Sequence, residues 1–395
     1  MSETTYDVLI AGGGVIGSSI AYFLSAAASG RALRICVVEP DPTYSRSSTA
    51  LSVGGIRQQF STTENIRLSQ FSAEFLRKAG ETLAVEGEGP ELGFLEAGYL
   101  FLATAAGLPI LRRNRALQLE LGASVDILHP EELQARFPWM RVSDLAAGSL
   151  GTRDEGWLDP YSLLQAFKKK AKAQGVAFVK DEVMGISGRM GHVETVTLAK
   201  AGPVSVGLVV NAAGPRAADL ARMAGIPDLP VRPRKRFVYR VQATQPLPGC
   251  PLVIDPSGVY FRPEGDGFLC GVSPAEDQDP DALDLEMDYG LFYEEVWPAL
   301  AGRVPSFDSL RLGPSWAGHY AYNPLDQNAI LGPHPVVENF LFANGFSGHG
   351  LQHSPGIGLA LSELILLGEF RTLDLRRFGF HRFAQSTLIP EENVV

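Results

Sequence analysis

The stretch Tyr6-Asp7-Val8-Leu9-Ile10-Ala11-Gly12-Gly13-Gly14-Val15-Ile16-Gly17 decides the fold, together with a second apolar run, Leu33 to Val38, that ends on Glu39. An apolar run feeding a glycine turn and then a small-residue segment reads as buried strand, tight turn and helix, and the next run as a second strand. Such a turn gathers free main-chain N–H groups at the positive end of a helix, which suits a pyrophosphate. Gly12 permits the turn, Gly14 lets phosphates approach the main chain, and Gly17 lets the helix lie close to the sheet. Glu39 closes the second strand, where a carboxylate accepts hydrogen bonds from ribose hydroxyls and repels a 2′-phosphate. With 42 glycines in 395 residues the spacing alone would arise by chance; strand, helix and terminal acid supply its context. The unit reads as a site for an ADP moiety, belonging to either NAD or FAD.

A chain of 395 residues is too long for one simple core, and two domains are expected. At 45% hydrophobic and 20% charged residues, the composition is that of an ordinary globular protein. No apolar run reaches the roughly eighteen residues of a membrane span, so none is expected. The first strand begins within six residues, which leaves no room for a signal peptide in this reading. Cys36, Cys250 and Cys270 are too few and scattered for a disulfide framework or a zinc site, so no metal and a reducing cytoplasm are expected. A formal charge of −10 argues against nucleic acid as a partner, while local arginines can still receive a small anion.

After Glu39 comes a polar turn and then Thr49-Ala50-Leu51-Ser52-Val53-Gly54-Gly55-Ile56-Arg57-Gln58-Gln59-Phe60, a flexible loop of the kind that wraps a ligand. Pro40, Arg46, Ser47, Ser48, Ser52, Val53 and Gly54 are the expected cofactor contacts here. Helical spacing runs from Thr63 to Lys78 and from Leu108 to Leu121. Asp159 caps a helix to Ala173, whose basic run, Lys168 to Lys172, reads as a solvated end. Gly207 to Val210 predicts a third parallel strand, which enters Asn211-Ala212-Ala213-Gly214-Pro215; Ala212, Ala213 and Gly214, with Val183 upstream, are further expected contacts. Val231 to Ala243 and Val259 to Val272 alternate as strands of a second sheet, and Leu285 to Leu300 reads as a helix. The dinucleotide domain is therefore discontinuous, over 1–85, 145–230 and 325–395, with a substrate domain over 86–144 and 231–324.

Phe340 to Ala343, the turn Asn344-Gly345-Phe346-Ser347-Gly348-His349-Gly350 and a helix to about Leu367 repeat the opening grammar of strand, turn and helix. Gly345, Phe346, Ser347, Gly348, His349, Gly350, Leu351 and Gln352 offer main-chain donors and a helix N-terminus, which stabilise negative charge on a reduced flavin. A second such turn suits FAD, whose isoalloxazine is held far from its adenine.

These motifs, with Gly55-Ile56-Arg57, resemble the flavoproteins of the D-amino-acid oxidase and sarcosine oxidase type over essentially the whole chain. Within them, Gly54 to Phe60, Trp316-Ala317-Gly318-His319-Tyr320 and Asp326-Gln327-Asn328 look most like the branch of a mitochondrial flavoprotein implicated in respiratory complex I assembly and its bacterial relatives. The resemblance implies an α/β fold of glutathione-reductase-like, sarcosine-oxidase type: a Rossmann-type FAD-binding domain and a substrate domain built on a mixed or antiparallel sheet. It implies hydride transfer to flavin from the carbon beside an amine, giving an imine that hydrolyses.

Arg57 matches the family's carboxylate-binding arginine; the alternatives are pairing with a structural acid or with FAD phosphates. His349 either orients substrate or flavin or bonds main chain, and Tyr260 either reaches the carboxylate or packs. Gln352 stands where sarcosine oxidases carry a second, cationic ligand. No cysteine follows Cys270, so FAD is expected to be noncovalent, with a histidyl link at His319 as the minor alternative. Leu269 stands where oxidases place the lysine that activates oxygen, which implies a dehydrogenase serving an acceptor protein or quinone. The substrate implied is a secondary or N-substituted amino acid. Rival readings are an oxidase of a D-amino acid or glycine, a flavin-containing assembly or binding factor without turnover, and an NAD-dependent dehydrogenase.

Overall fold

The computed structural model describes residues 5–28, 30 and 33–393. Among them, eight strands form a first sheet whose path runs Ile330–Pro333, Phe340–Asn344, Gly202–Asn211, Thr5–Ala11, Ile35–Val38 and Ala177–Val179. Thr5–Ala11 is parallel to both neighbours, with Val8 opposite Leu208 on one side and Ile35 on the other. Helices cover such a sheet, so its strands are apolar on both faces, and Leu9, Ile10, Val37 and Val210 are fully buried.

The third parallel strand expected near Gly207 extends over Gly202–Asn211 and carries an antiparallel hairpin, Val183–Arg189 with His192–Leu198, that the sequence pattern did not reveal. The hairpin has register shifts between Val193 and Thr195 and between Thr197 and Leu198, which interrupt the alternation that marks a strand.

A second sheet of nine described strands is mixed, as the long strand Arg232–Gln242 pairs antiparallel with three others while Leu252–Ile254 runs parallel to Tyr99–Ala103. Ala147–Gly151, which lies in the stretch assigned to the dinucleotide domain, joins this second sheet beside Tyr99–Ala103. Its sequence, Ala-Gly-Ser-Leu-Gly, has too few large apolar residues to announce a strand.

The helix expected over Leu285 to Leu300 is shorter: a π turn spans Phe292–Val296 and an α-helix Trp297–Arg303. Pro298 has no N–H to return to the preceding turn, which is where the wider turn sits.

One face of the second sheet packs Tyr239, Val241, Phe261, Phe268 and Cys270 into its own core. The other turns Tyr99, Leu252, Ile254 and half-buried Tyr260 toward the loops of the first sheet.

Two helices lie at the junction of the opening and closing units. Val15–Ala27 and Gly350–Leu367 touch where Ser19 Oγ donates to the Ser354 carbonyl (2.7 Å), and a Cβ on Gly358 would fall 2.2 Å from that hydroxyl. Pro355 sits inside the second helix, and Ser354 Oγ donates to the Leu351 carbonyl (2.8 Å) in place of the missing N–H. No described helix is long and apolar enough to cross a membrane.

Candidate active site

The opening turn is closed by contacts that only glycine allows. Gly12 has φ +105°, and a Cβ there would lie 2.3 Å from the Ala212 carbonyl oxygen; a Cβ on Gly17 would lie 1.9 Å from that of Gly12. The two expected turns at Gly12 and Ala212 are therefore in direct contact.

Glu39 accepts the Gly13 N–H (2.8 Å) and the Asp41 N–H (2.9 Å), and the Glu39 N–H donates to the Val179 carbonyl (3.0 Å), while Val183 opens the hairpin strand Val183–Arg189. Burial raises the Glu39 pKa and the two N–H groups hold it down. Thr49, which opens the loop expected to wrap a ligand but was not among the expected cofactor contacts, accepts the first N–H of the helix, from Val15 (3.1 Å). Lys168 belongs to the run expected to be a solvated helix end, yet it is half-buried with its ammonium 4.5 Å from the Tyr44 ring centre.

At the second turn Gly345, Ser347 and Gly348 all have positive φ, and a Cβ on Gly348 would lie 2.4 Å from the Tyr320 ring. Ser347 Oγ accepts the Asn323 N–H (3.0 Å), and Asn344 donates its amide to Asn211 (3.2 Å), which ties this turn to the one after Gly202–Asn211. Buried side-chain atoms without a partner among the described residues recur here: the Tyr44 and Ser48 hydroxyls, Asn344 Oδ1 and His349 Nε2. Buried polar groups are costly to leave unmatched. Two turns that exclude side chains, an acid ending the second strand and these unmatched atoms fit an extended dinucleotide.

Arg57 is 4% exposed and forms no ion pair within 4.0 Å among the described residues. Its guanidinium lies 4.0 Å over the Phe60 ring, donates to the Gln59 carbonyl (2.7 Å) and also to the Asn393 carbonyl. Tyr99 and Phe101 of the second sheet complete an aromatic cage, at 5.8 and 5.4 Å. The pairing with a structural acid, one alternative for Arg57, is absent among the described residues. Gln352 uses its Oε1 to accept the Arg57 main-chain N–H (2.8 Å), so it holds the loop.

His349 and His353 both border Phe60, with ring centres 5.2 Å apart. Burial first, then its neighbour His353 and only after that the Arg57 charge, push His349 well below 6.5; burial and then the Arg57 charge push His353 to about 3, so both rings are neutral at physiological pH. Burial likewise pushes Tyr99 up to about 12 and Tyr260 well above 10, so both phenols keep their protons. Tyr260 lies across Gly271, where a Cβ would meet its hydroxyl at 2.7 Å.

Other expected contacts are placed less directly. Ser52 Oγ accepts the Gly54 N–H (3.1 Å), Ser47 Oγ accepts that of Ala50 (3.1 Å), Arg46 reaches the Leu283 carbonyl (3.5 Å) and Pro40 is exposed. Gly54 has φ +79° and passes so close to Leu158 that a Cβ would lie 2.1 Å from its oxygen. His319 Nε2 sits 3.0 Å from the Asp284 carbonyl.

Two charged groups escaped sequence reading. Glu155, 1% exposed, accepts the Gln58 N–H (2.7 Å) and the Gln59 side-chain amide (2.8 Å) beneath the Arg57 loop. Arg262 stands opposite Leu269, donates to the Val53 carbonyl (2.9 Å) and pairs with Glu264. The face of Leu269 therefore carries a cation, though one already matched by an acid.

A doubled strand–turn–helix frame beside a buried cation that has no ion pair among the described residues fits a flavin-type oxidoreductase. The chain belongs to the family described as "DAO: FAD dependent oxidoreductase", whose pattern it matches over residues 7–364. It is 47% identical, over an alignment 423 positions long with its gaps, to FAD-dependent oxidoreductase domain-containing protein 1 of Xenopus laevis, covering 98% of this chain and 85% of that one. It is 26% identical to mitochondrial sarcosine dehydrogenase of Mus musculus, covering 95% of this chain and 42% of that longer protein. The crystal structure of L-proline dehydrogenase from P. horikoshii superposes with a TM-score of 0.86 at 28% identity, covering 98% of this chain and 100% of that one.

Proposed function

We propose that the protein holds FAD noncovalently and oxidises the carbon–nitrogen bond of a secondary or N-substituted amino acid. The observation that carries the reading is Arg57, a buried cation with no described anionic partner beside the second turn. A buried charge left without a counter-charge is expensive, and a substrate carboxylate supplies one through paired hydrogen bonds. Sarcosine dehydrogenase and L-proline dehydrogenase are named for secondary amino acids, which supports that substrate class here.

Gly12 to Gly17, Glu39, Thr49 and the Gly345–Gly350 turn would hold the cofactor. Bound FAD would supply the hydride acceptor for the carbon next to nitrogen. Arg57 anchors the carboxylate and so fixes that carbon. Neutral His349 adds no charge to compete with the anion, and the Tyr99, Phe101 and Tyr260 face excludes water from the amine. Leu269, with Arg262 tied to Glu264, leaves no free ammonium on its face among the described residues, which supports a dehydrogenase that passes electrons to a protein or quinone. The three described thiols are free and buried, which fits a reducing compartment such as the cytoplasm.

The test is anaerobic mixing of FAD-loaded protein with sarcosine, proline, other N-alkyl amino acids and D-amino acids. At least one secondary amine bleaches the flavin, and the reduced protein reoxidises faster with an artificial quinone than with oxygen. Failure of every compound to bleach it removes the proposal.

A further inference from the structure

Residues 376–393 return from the final helix and cross to the loop that carries Arg57. Asp326, 2% exposed, anchors this return: its carboxylate binds Arg382 Nε and Nη2 (2.7 and 3.0 Å) and accepts the Ile389 N–H (3.2 Å), while its carbonyl accepts the Glu391 N–H (3.1 Å). The Asp326-Gln327-Asn328 motif is thus a clamp for the segment that follows.

The clamp delivers Glu391 to the start of the helix Thr63–Arg77, whose N-cap, Thr62, makes no capping hydrogen bond of its own. Glu391 Oε1 accepts both the N–H and the hydroxyl of Ser61 (2.7 Å each), and Oε2 accepts from Thr62 Oγ1 and Asn65 Nδ2 (3.0 Å each). A carboxylate at a helix N-terminus is favoured by unmatched N–H groups and the dipole, and this one is 4% exposed.

Two residues on, the Asn393 N–H returns to Glu391 Oε1 (3.1 Å), its side-chain amide donates to the Gln59 carbonyl (3.1 Å), and its own carbonyl accepts from Arg57 Nη2. Both carbonyls that orient the Arg57 guanidinium are therefore tied to Asn393, which Glu391 holds by its N–H and Asn114 by its side-chain oxygen (3.2 Å). A planar guanidinium binds a carboxylate well only when its plane and direction are set beforehand.

We propose that Glu391 and Asn393 are positioning residues of the substrate site, holding the Arg57 guanidinium in the orientation that receives a carboxylate. This rests on the reading of Arg57 given above. Glu391→Gln turns a donor toward Ser61 or toward Thr62 and Asn65, and so releases the segment from the helix.

The experiment titrates propionate, and separately its neutral analogue propionamide, into the FAD-loaded full chain and follows the visible flavin spectrum. Glu391→Gln raises the propionate Kd at least about tenfold and the propionamide Kd less than about twofold, with flavin content unchanged. Where Glu391→Gln loses flavin, Asn393→Gly, which removes the amide that holds the Gln59 carbonyl and loosens the segment, is judged by the same two ratios. If Arg57→Met loses propionate but both segment variants bind it as wild type does, the positioning role is overturned and the reading of Arg57 stands. Equal weakening of both probes makes the segment merely structural and also overturns it. If wild type ignores propionate, or Arg57→Met binds it unchanged, the reading of Arg57 falls and takes this proposal with it.

Discussion

Glu155 offers the most direct physical test of the Arg57 loop. Its carboxyl lies beneath that loop, and burial pushes its pKa from 4.5 up to about 7, against the pull of the Gln59 and Gln58 hydrogen bonds and the Arg57 charge. The folded chain therefore keeps this proton to higher pH than the unfolded chain does. The stability tied to it is whole below about pH 4.5, is lost as pH rises to about 7, and changes no further above that. The gap corresponds to about 3 kcal/mol. If the 395 residues unfold together, that is about 4 °C in Tm.

Glu155→Gln abolishes the titration, so the wild-type Tm minus the variant Tm should fall by about 4 °C between about pH 4.5 and about pH 8. His349 and His353 titrate in both proteins and cancel in the difference. Scanning calorimetry of the FAD-loaded pair at matched ionic strength measures it. A difference that stays constant with pH refutes the assignment of a strained, buried carboxyl beneath Arg57.

Gly17→Ala drives a Cβ into the Gly12 carbonyl, at 1.9 Å, and is expected to abolish flavin retention; a wild-type flavin-to-protein absorbance ratio would show the turn tolerates what its geometry forbids. Arg57→Met removes a charge-assisted contact worth about 2–5 kcal/mol, so kcat/KM for a carboxylate substrate should drop at least about thirtyfold with flavin still bound, and steady-state kinetics decide. Arg382→Leu leaves Asp326 buried without its cation, a loss of about 3–5 kcal/mol that thermal unfolding reads as a marked fall in Tm; an unchanged Tm would count against the clamp.

The sequence alone was enough for the frame, because a strand–turn–helix unit is written in short-range signals. Apolar runs, a positive-φ glycine at Gly12 and a small residue at Gly17 act within a few residues or at one close contact. The opening turn, Glu39 and the Gly345–Gly350 turn were legible for that reason, as was the family they resemble. The surroundings of Arg57 were not. Glu155 lies 97 residues from Gln58, Val53 209 from Arg262, and Asn393 336 from Arg57. No local periodicity encodes such pairs; they form only when separate elements are packed and their buried polar groups must find partners. The tertiary structure alone decided that Gln352 braces main chain, that Lys168 covers Tyr44, and that residues 389–393 complete the environment of the cation. Burial sets which charges are matched, and burial is a property of the folded chain.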